Sequence, residues 1–330
     1  MASQPVIVVL GATGNQGRGV VQALLREPSP MTWQVRAITR NPDSDAAQDL
    51  LNAFQTPDNR LSLHTGDLYD KTSLEDAFTG AYGVFGVTSE YAGKTIPDEE
   101  GMKHELQAGR NIIDAAKKAN VKHFVFSSLP NMNEVTGGRL TRIYHMTHKS
   151  VIAQWAKEEL PAVTCLIPGL FLSNLNRPQY CCRREDGVVR FCPPIPAIKL
   201  MEWVDPEYDM GLFAARVFSL GPDKTSGKSY FVGSKHFRMQ DLASTFTRLT
   251  GQPAVYDPIT LDDWADMTSS QVGPGFREDA RQMMEWFSTA PEDKRCYGAM
   301  EPAEDTAYAE LGVEASSFED WVKRYNWAGP

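Results

Sequence analysis

The stretch YHMTHKSVIAQW, from Tyr144 to Trp155, holds side chains that can move a proton. Imidazole titrates near neutrality, so His145 can give or take a proton at physiological pH. Lys149 follows four residues later, and that spacing puts both side chains on one helical face. Tyr144 is five residues from Lys149, about 140° round a helix of 3.6 residues per turn.

A second set of residues binds instead of reacting. VIVVLGATGNQGRGVVQALL, Val6 to Leu25, runs from a β-branched strand through Gly11, Gly14 and Gly17 into a helical pattern. Gly11 permits a tight exit from the strand. Gly14 lets the backbone approach a pyrophosphate with no Cβ in the way, and Gly17 lets the helix pack on the strand. The helix then offers free N–H groups to the phosphates. Thr13, Asn15 and Gln16 belong to the same cofactor loop.

The end of the second strand selects the cofactor. NAD binders usually place Asp or Glu there for the ribose 2′-hydroxyl. This chain has AITRNP, with Arg40 in that place. A guanidinium fork suits a 2′-phosphate that a carboxylate would repel. The expected cofactor is therefore NADP(H). Asp67 and Leu68, in TGDL at the end of the third strand, are placed at the adenine, and Thr88 at the pyrophosphate–nicotinamide side.

Elements must position these groups. VIVVLG, WQVRAITR, LSLHTGDL, AYGVFGVT and HFVFSSL read as strands. Helical segments alternate with them: RGVVQALLRE, AAQDLLNAF, TSLEDAF and HELQAGRNIIDAAKKA. The alternation predicts an α/β fold, a doubly wound parallel Rossmann sheet with right-handed crossovers. A helix over Tyr144 to Leu160 and a strand into the loop AVTCLIPGLFLSNL follow. Past about residue 175 the texture becomes proline-rich, then helical with many Trp, Phe and Met. The expected organisation is a dinucleotide-binding domain over residues 1–160, with 161–175 returning to it. A smaller, mostly helical α/β lobe over 176–330 lies on the substrate side.

Composition narrows the function classes. Of 330 residues 42% are hydrophobic, enough for a sizeable core. The formal net charge of −9 gives no positive field for nucleic acid or an anionic membrane surface. CCRRE, Cys181 to Glu185, reads as a solvated loop. The five cysteines are scattered without metal-ligand spacing, so no metal is expected, and they read as reduced thiols of a cytoplasmic protein. No stretch approaches the roughly 20 apolar residues of a spanning helix.

GATGNQG, TRNP, GDL, GVT, FVFSS, GRLTRIYHMTHKSVIAQW and CLIPGLFLSNL occur in this order, and WVDPEYDMGLFAARVF follows. As an ensemble they resemble the NmrA-like family of atypical short-chain dehydrogenase/reductases. The resemblance implies NADP(H) in a Rossmann domain and a cleft formed with a second lobe. Short-chain reductases use Tyr-x-x-x-Lys, where lysine holds the nicotinamide ribose and tyrosine supplies the proton. Here Lys149 keeps the lysine position and His145 replaces the tyrosine, a departure that some regulatory members share. Ser127 is assigned to the cofactor. Ser128, Tyr144 and Asn174 are assigned to the substrate, and Pro168 and Phe171 are placed beside the nicotinamide.

The resemblance implies two functions. The leading one is an NADPH-dependent oxidoreductase that transfers hydride to a small carbonyl or conjugated substrate, in the manner of secondary-metabolism reductases, with His145 as acid. The alternative is an NADP(H)-sensing regulator that binds a protein partner without turnover, a role that would also allow the nucleus.

Overall fold

The computed structural model describes residues 4–26, 32–89 and 95–330. The first half contains β1 (Val6–Val9), α1 (Asn15–Leu25), β2 (Gln34–Thr39), α2 (Asp45–Phe54), β3 (Leu61–Thr65), α3 (Lys71–Phe78), β4 (Gly83–Gly86), α4 (His104–Lys118) and β5 (His123–Ser127). After these come α5 (Met132–Val135), α6 (Tyr144–Glu159), β6 (Val163–Pro168) and β7 (Leu170–Phe171). The rest comprises β8 (Cys181–Arg183), β9 (Val189–Phe191), β10 (Leu200–Met201), β11 (Trp203–Val204), α7 (Tyr208–Leu220), α8 (Pro222–Thr225), β12 (Ser229–Val232), β13 (Phe237–Arg238), α9 (Asp241–Thr250), β14 (Ala254–Tyr256), α10 (Leu261–Val272), α11 (Arg277–Thr289), α12 (Ala307–Leu311) and α13 (Phe318–Tyr325).

Seven strands form one sheet in the order β12-β6-β5-β4-β1-β2-β3. Every pairing in it is parallel. Ile7, Val8 and Val9 are fully buried, as expected of a strand covered on both faces. Val20, Val21 and Leu24 of α1, Leu50 of α2 and Phe213 and Val217 of α7 cover one face. Leu74 of α3, Ile112 of α4 and Ile152 of α6 cover the other. This is the doubly wound sheet that the alternation predicts. Strand order reverses between β1 and β4, so the crevice for a ligand opens at their carboxyl ends.

The division at residue 176 needs correction. α7 packs on α1, and β12 extends the sheet beside β6, with Ser229 opposite Cys165. The reason is a pair of glycines. A Cβ on Gly19 would lie 1.7 Å from the Glu207 carbonyl oxygen, and one on Gly211 would lie 2.3 Å from that of Gly19. The two backbones touch where neither residue has a side chain. Gly211→Ala is therefore expected to lower stability by about 3 kcal/mol through overpacking, measured by urea unfolding. A loss under about 0.5 kcal/mol, the scale of a neutral surface change, would refute the close approach.

The smaller lobe has its own core, in which Phe191, Phe246, Phe318 and Trp327 meet. CCRRE is a solvated loop only in part: Arg183, Arg184 and Glu185 are exposed, but Cys181 to Arg183 form a strand. Cys181 is fully buried and pairs with Phe191 in an antiparallel hairpin of β8 and β9, and β14 flanks β9. All five cysteines are unbridged. Among the described residues no helix is long and apolar enough to cross a membrane, and no group of three or more His, Cys, Asp or Glu side chains gathers as a metal site.

Candidate functional site

The turn after β1 is shaped by its glycines. Gly11 has φ +60, which a side chain rarely adopts. A Cβ on Gly17 would stand 2.2 Å from the Gly11 carbonyl oxygen. Gly14 precedes α1 without a side-chain cap, so the first amides of the helix are left for an anion. Ser127 at the end of β5 donates to Gln16 Oε1 at 2.7 Å, and Asn15 Nδ2 donates to Ser173 Oγ at 3.2 Å. The end of β5 and the short 3-10 turn Leu172–Asn176 thus hold the loop.

A crevice of about 630 Å³ runs from this turn along the strand ends. Gly11, Thr13, Gly14, Asn15, Gln16, Gly17, Arg40, Asp67, Leu68, Thr88 and Phe171 all line it. Asn41 and Ser44 stand with Arg40 at one end. The Asp67 carboxylate accepts from the Tyr69 amide at 2.9 Å, which fixes the turn after β3. The loop, the uncapped helix and this length of crevice fit a dinucleotide.

A second cavity of about 210 Å³ adjoins the crevice. Asn15, Gln16, Thr88 and Phe171 border both spaces. Ser127, His145, Lys149, Pro168 and Asn174 line the second cavity, together with aromatics of the smaller lobe such as Trp264, Phe276 and Tyr297.

His145 is mounted on a carboxylate that sequence reasoning missed. Asp279, wholly buried on α11, accepts from the His145 backbone amide at 2.9 Å and lies 2.5 Å from Nδ1. With the carboxylate oxygen accepting, Nδ1 carries the proton in this pair. Lys149 has a second missed partner. Its Nζ donates to Glu105 Oε1 at 2.5 Å, and Thr88 Oγ1 donates to the same oxygen at 2.6 Å. Both members of the pair are buried. Next to these, burial pushes the pKa of His148 down, which disfavours its charged form.

Tyr297 is a third residue not foreseen. Cys296 and Tyr297 have φ of 54 and 60, uncommon for residues with side chains. The Cys296 amide donates to Glu202 Oε2 at 2.8 Å, and Trp286 Nε1 donates to the Tyr297 carbonyl at 2.8 Å. The Tyr297 hydroxyl donates to the Pro168 carbonyl at 2.9 Å, and burial raises its pKa well above the ordinary value. It is a neutral phenol that ties α11 and the loop after it to β6.

Two assigned substrate residues lie elsewhere. α6 begins at Tyr144, whose hydroxyl donates to Glu99 Oε2 at 2.8 Å while its ring stacks on His148. Ser128 is buried, and its hydroxyl donates to the carbonyls of Leu129 and Lys149 at 3.4 and 3.3 Å. Neither borders the crevice or the cavity. For Tyr144 the cause is helix geometry, since the position before His145 is turned about 100° from it.

The sheet order, the switch point and the glycine cradle define a nucleotide-binding Rossmann protein. The chain belongs to the NmrA-like family, whose profile matches residues 3–322. It is 29% identical over 321 residues to an NmrA-like family domain-containing oxidoreductase of Aspergillus hancockii, covering 94% of this chain and 90% of that one. It is 30% identical over 271 residues to another of that description from Aspergillus flavus, covering 78% and 77%. NmrA, a negative transcriptional regulator solved in complex with NADP, superposes with a TM-score of 0.76 at 19% identity, covering 97% and 94%. The NADPH-dependent quinone oxidoreductase QOR2 of Escherichia coli, solved with NADPH, does so with 0.68 at 21%, covering 98% and 100%.

Proposed function

We propose that this protein is an NADPH-dependent oxidoreductase that reduces a small carbonyl or conjugated substrate held against His145. The observation that carries this reading is the shared wall. Asn15, Gln16, Thr88 and Phe171 border both the cradle and the cavity that holds His145 on its buried carboxylate. A binding module needs the cradle alone, whereas proton chemistry needs an oriented imidazole beside it. The oxidoreductase names of the curated relatives support the same reading.

The cofactor, when bound, supplies the hydride. The helix α1 amides and the loop from Gly11 to Gly17 would hold the pyrophosphate, and Arg40 with Asn41 and Ser44 the 2′-phosphate. Lys149, steadied by Glu105, would meet the nicotinamide ribose. Asp279 fixes the His145 tautomer and stabilises the imidazolium. The Nε2 proton then passes to the substrate oxygen, or to the carbon of a conjugated system.

The test is direct. The purified protein is expected to bleach NADPH absorbance with some member of a panel of aldehydes, ketones and enones. Tight NADPH binding with no turnover across the panel would sink the reductase and leave the sensing alternative. Cofactor choice has its own test. Arg40→Asp is expected to weaken NADPH binding by about tenfold or more, since it removes one charge-assisted contact and adds a like charge. NADH binding is expected to hold or improve. An unchanged NADPH preference would exclude Arg40 as the 2′-phosphate contact.

A further inference from the structure

We propose that Arg177 selects substrates that carry a carboxylate, binding that group at the open side of the cavity while the reacting atom lies at His145. The inference rests on the cavity beside His145 being the substrate site. Three side chains on its wall can carry a positive charge, His145, Lys149 and Arg177, and among the described residues no aspartate or glutamate lines it. In a chain of net charge −9 that is a local reversal of sign. Two of the three charges are matched from behind the wall. His145 faces Asp279 and Lys149 faces Glu105, each at 2.5 Å. Arg177 is exposed where His145 and Lys149 are buried. Among the described residues no hydrogen bond, ion pair or aromatic ring engages its guanidinium.

The backbone at this position is fixed. Arg177 closes the turn Leu172–Asn176, and its amide donates to the Asn174 carbonyl at 2.8 Å. Its own carbonyl accepts from the Tyr180 and Cys181 amides at 2.9 and 3.0 Å. The same turn carries Ser173, which holds Asn15 of the cofactor loop, and Asn174, which lines the cavity. Arg177 thus stands on a segment that joins the cofactor loop to the cavity, with its side chain left for a ligand. An unmatched cation on a wall without acids attracts anions. A planar guanidinium fork fits the two oxygens of a carboxylate. A phosphate dianion would leave one charge unmatched, because Lys149 is committed to Glu105. Tyr180, Trp264, Phe276 and Phe287 line the same space with aromatic surface, which suits an apolar body behind the acid group. The substrate class is then an apolar oxo acid or unsaturated acid.

Two probes separate the charge from the apolar body. 3-Phenylpropanoate has an aromatic ring, a carboxylate and no group that a nicotinamide hydride reduces. 3-Phenylpropanamide has the same skeleton without the charge. Each is titrated calorimetrically into NADP⁺-loaded wild type and Arg177→Met, which keeps a long side chain and drops the charge. Wild type is expected to bind the acid about fivefold tighter than the amide, the upper range for an exposed ion pair. Added salt is expected to shrink that preference, since exposed charges are screened. Arg177→Met is expected to lose it, while affinities for the amide and for NADPH stay within about twofold of wild type. An acid bound no tighter than the amide by wild type, an unchanged preference in Arg177→Met, or no acid binding at millimolar concentration would each overturn the proposal. So would a fall in NADPH affinity in Arg177→Met, which would assign the residue to the cofactor. Because the readout is binding, a protein that shows the expected pattern yet oxidises no NADPH refutes the reductase reading and leaves the acid site standing.

Discussion

His145→Ala is expected to lower kcat for NADPH-dependent reduction by about 10² to 10³, the usual contribution of a positioned general acid. KM for NADPH should change little, since His145 lines the second cavity and not the crevice along the strand ends. Asp279→Asn is expected to cost a similar factor for a different reason. The asparagine keeps the shape and can still accept from the backbone amide that Asp279 now receives at 2.9 Å. It cannot stabilise an imidazolium, and its amide can turn an N–H toward Nδ1 and impose the wrong tautomer. The pH profile separates orientation from mere structure. In wild type the alkaline limb, where His145 loses the proton it must donate, reports an imidazolium held by a carboxylate. In Asp279→Asn the charged form loses that support, so the limb is expected to shift to lower pH. A variant with wild-type kcat and an unmoved profile would remove Asp279 from the proton path. His145→Ala at full activity would remove His145.

Glu105→Leu is expected to cost about 3–5 kcal/mol of stability, the range for breaking a buried ion pair from one side. Lys149 and Thr88 both bond to the same Glu105 oxygen, so the change strands two donors at once. Glu105→Leu with Lys149→Met is expected to recover most of the loss, because a matched apolar pair avoids the buried charge. Urea unfolding of the two single variants and the double variant closes the cycle. Additive losses would show that the two side chains do not depend on each other. The double variant also tests binding. If Lys149 reaches the nicotinamide ribose, NADPH affinity falls even though the fold is restored. Unchanged affinity would confine the pair to a structural role.

Glu105 and Asp279 share a signal that the sequence does carry. In HELQAGRNIIDAAKK, Glu105 falls in the same helical stripe as Ala108, Ile112 and Ala116, all buried. In REDARQMMEWFST, Asp279 falls in the stripe of Met283 and Trp286. A carboxylate on an apolar stripe must be buried, and a buried carboxylate needs a cation or hydrogen-bond donors. The stripe shows that a partner exists. It does not name the partner, because Lys149 lies 44 residues from Glu105 and His145 lies 134 from Asp279.

The sequence by itself determined the parallel doubly wound sheet, the glycine turn and the crevice residues. These features are local or periodic: glycine spacing sets the turn, alternation sets the crossovers, and a strand end in such a sheet has a fixed place. The helix carrying His145 and Lys149 was legible for the same reason. Only the tertiary structure decided which groups meet across the lobes. It brought α7 and β12 back to the first sheet through the Gly19–Gly211 contact, and it turned Tyr144 and Ser128 away from the cavity. It also set α10 and α11 against the strand ends. The cavity-lining residues Trp264 and Thr268 and the carboxylate of Asp279 come from those two helices. Their positions follow from how two cores pack together, and no spacing along the chain encodes that.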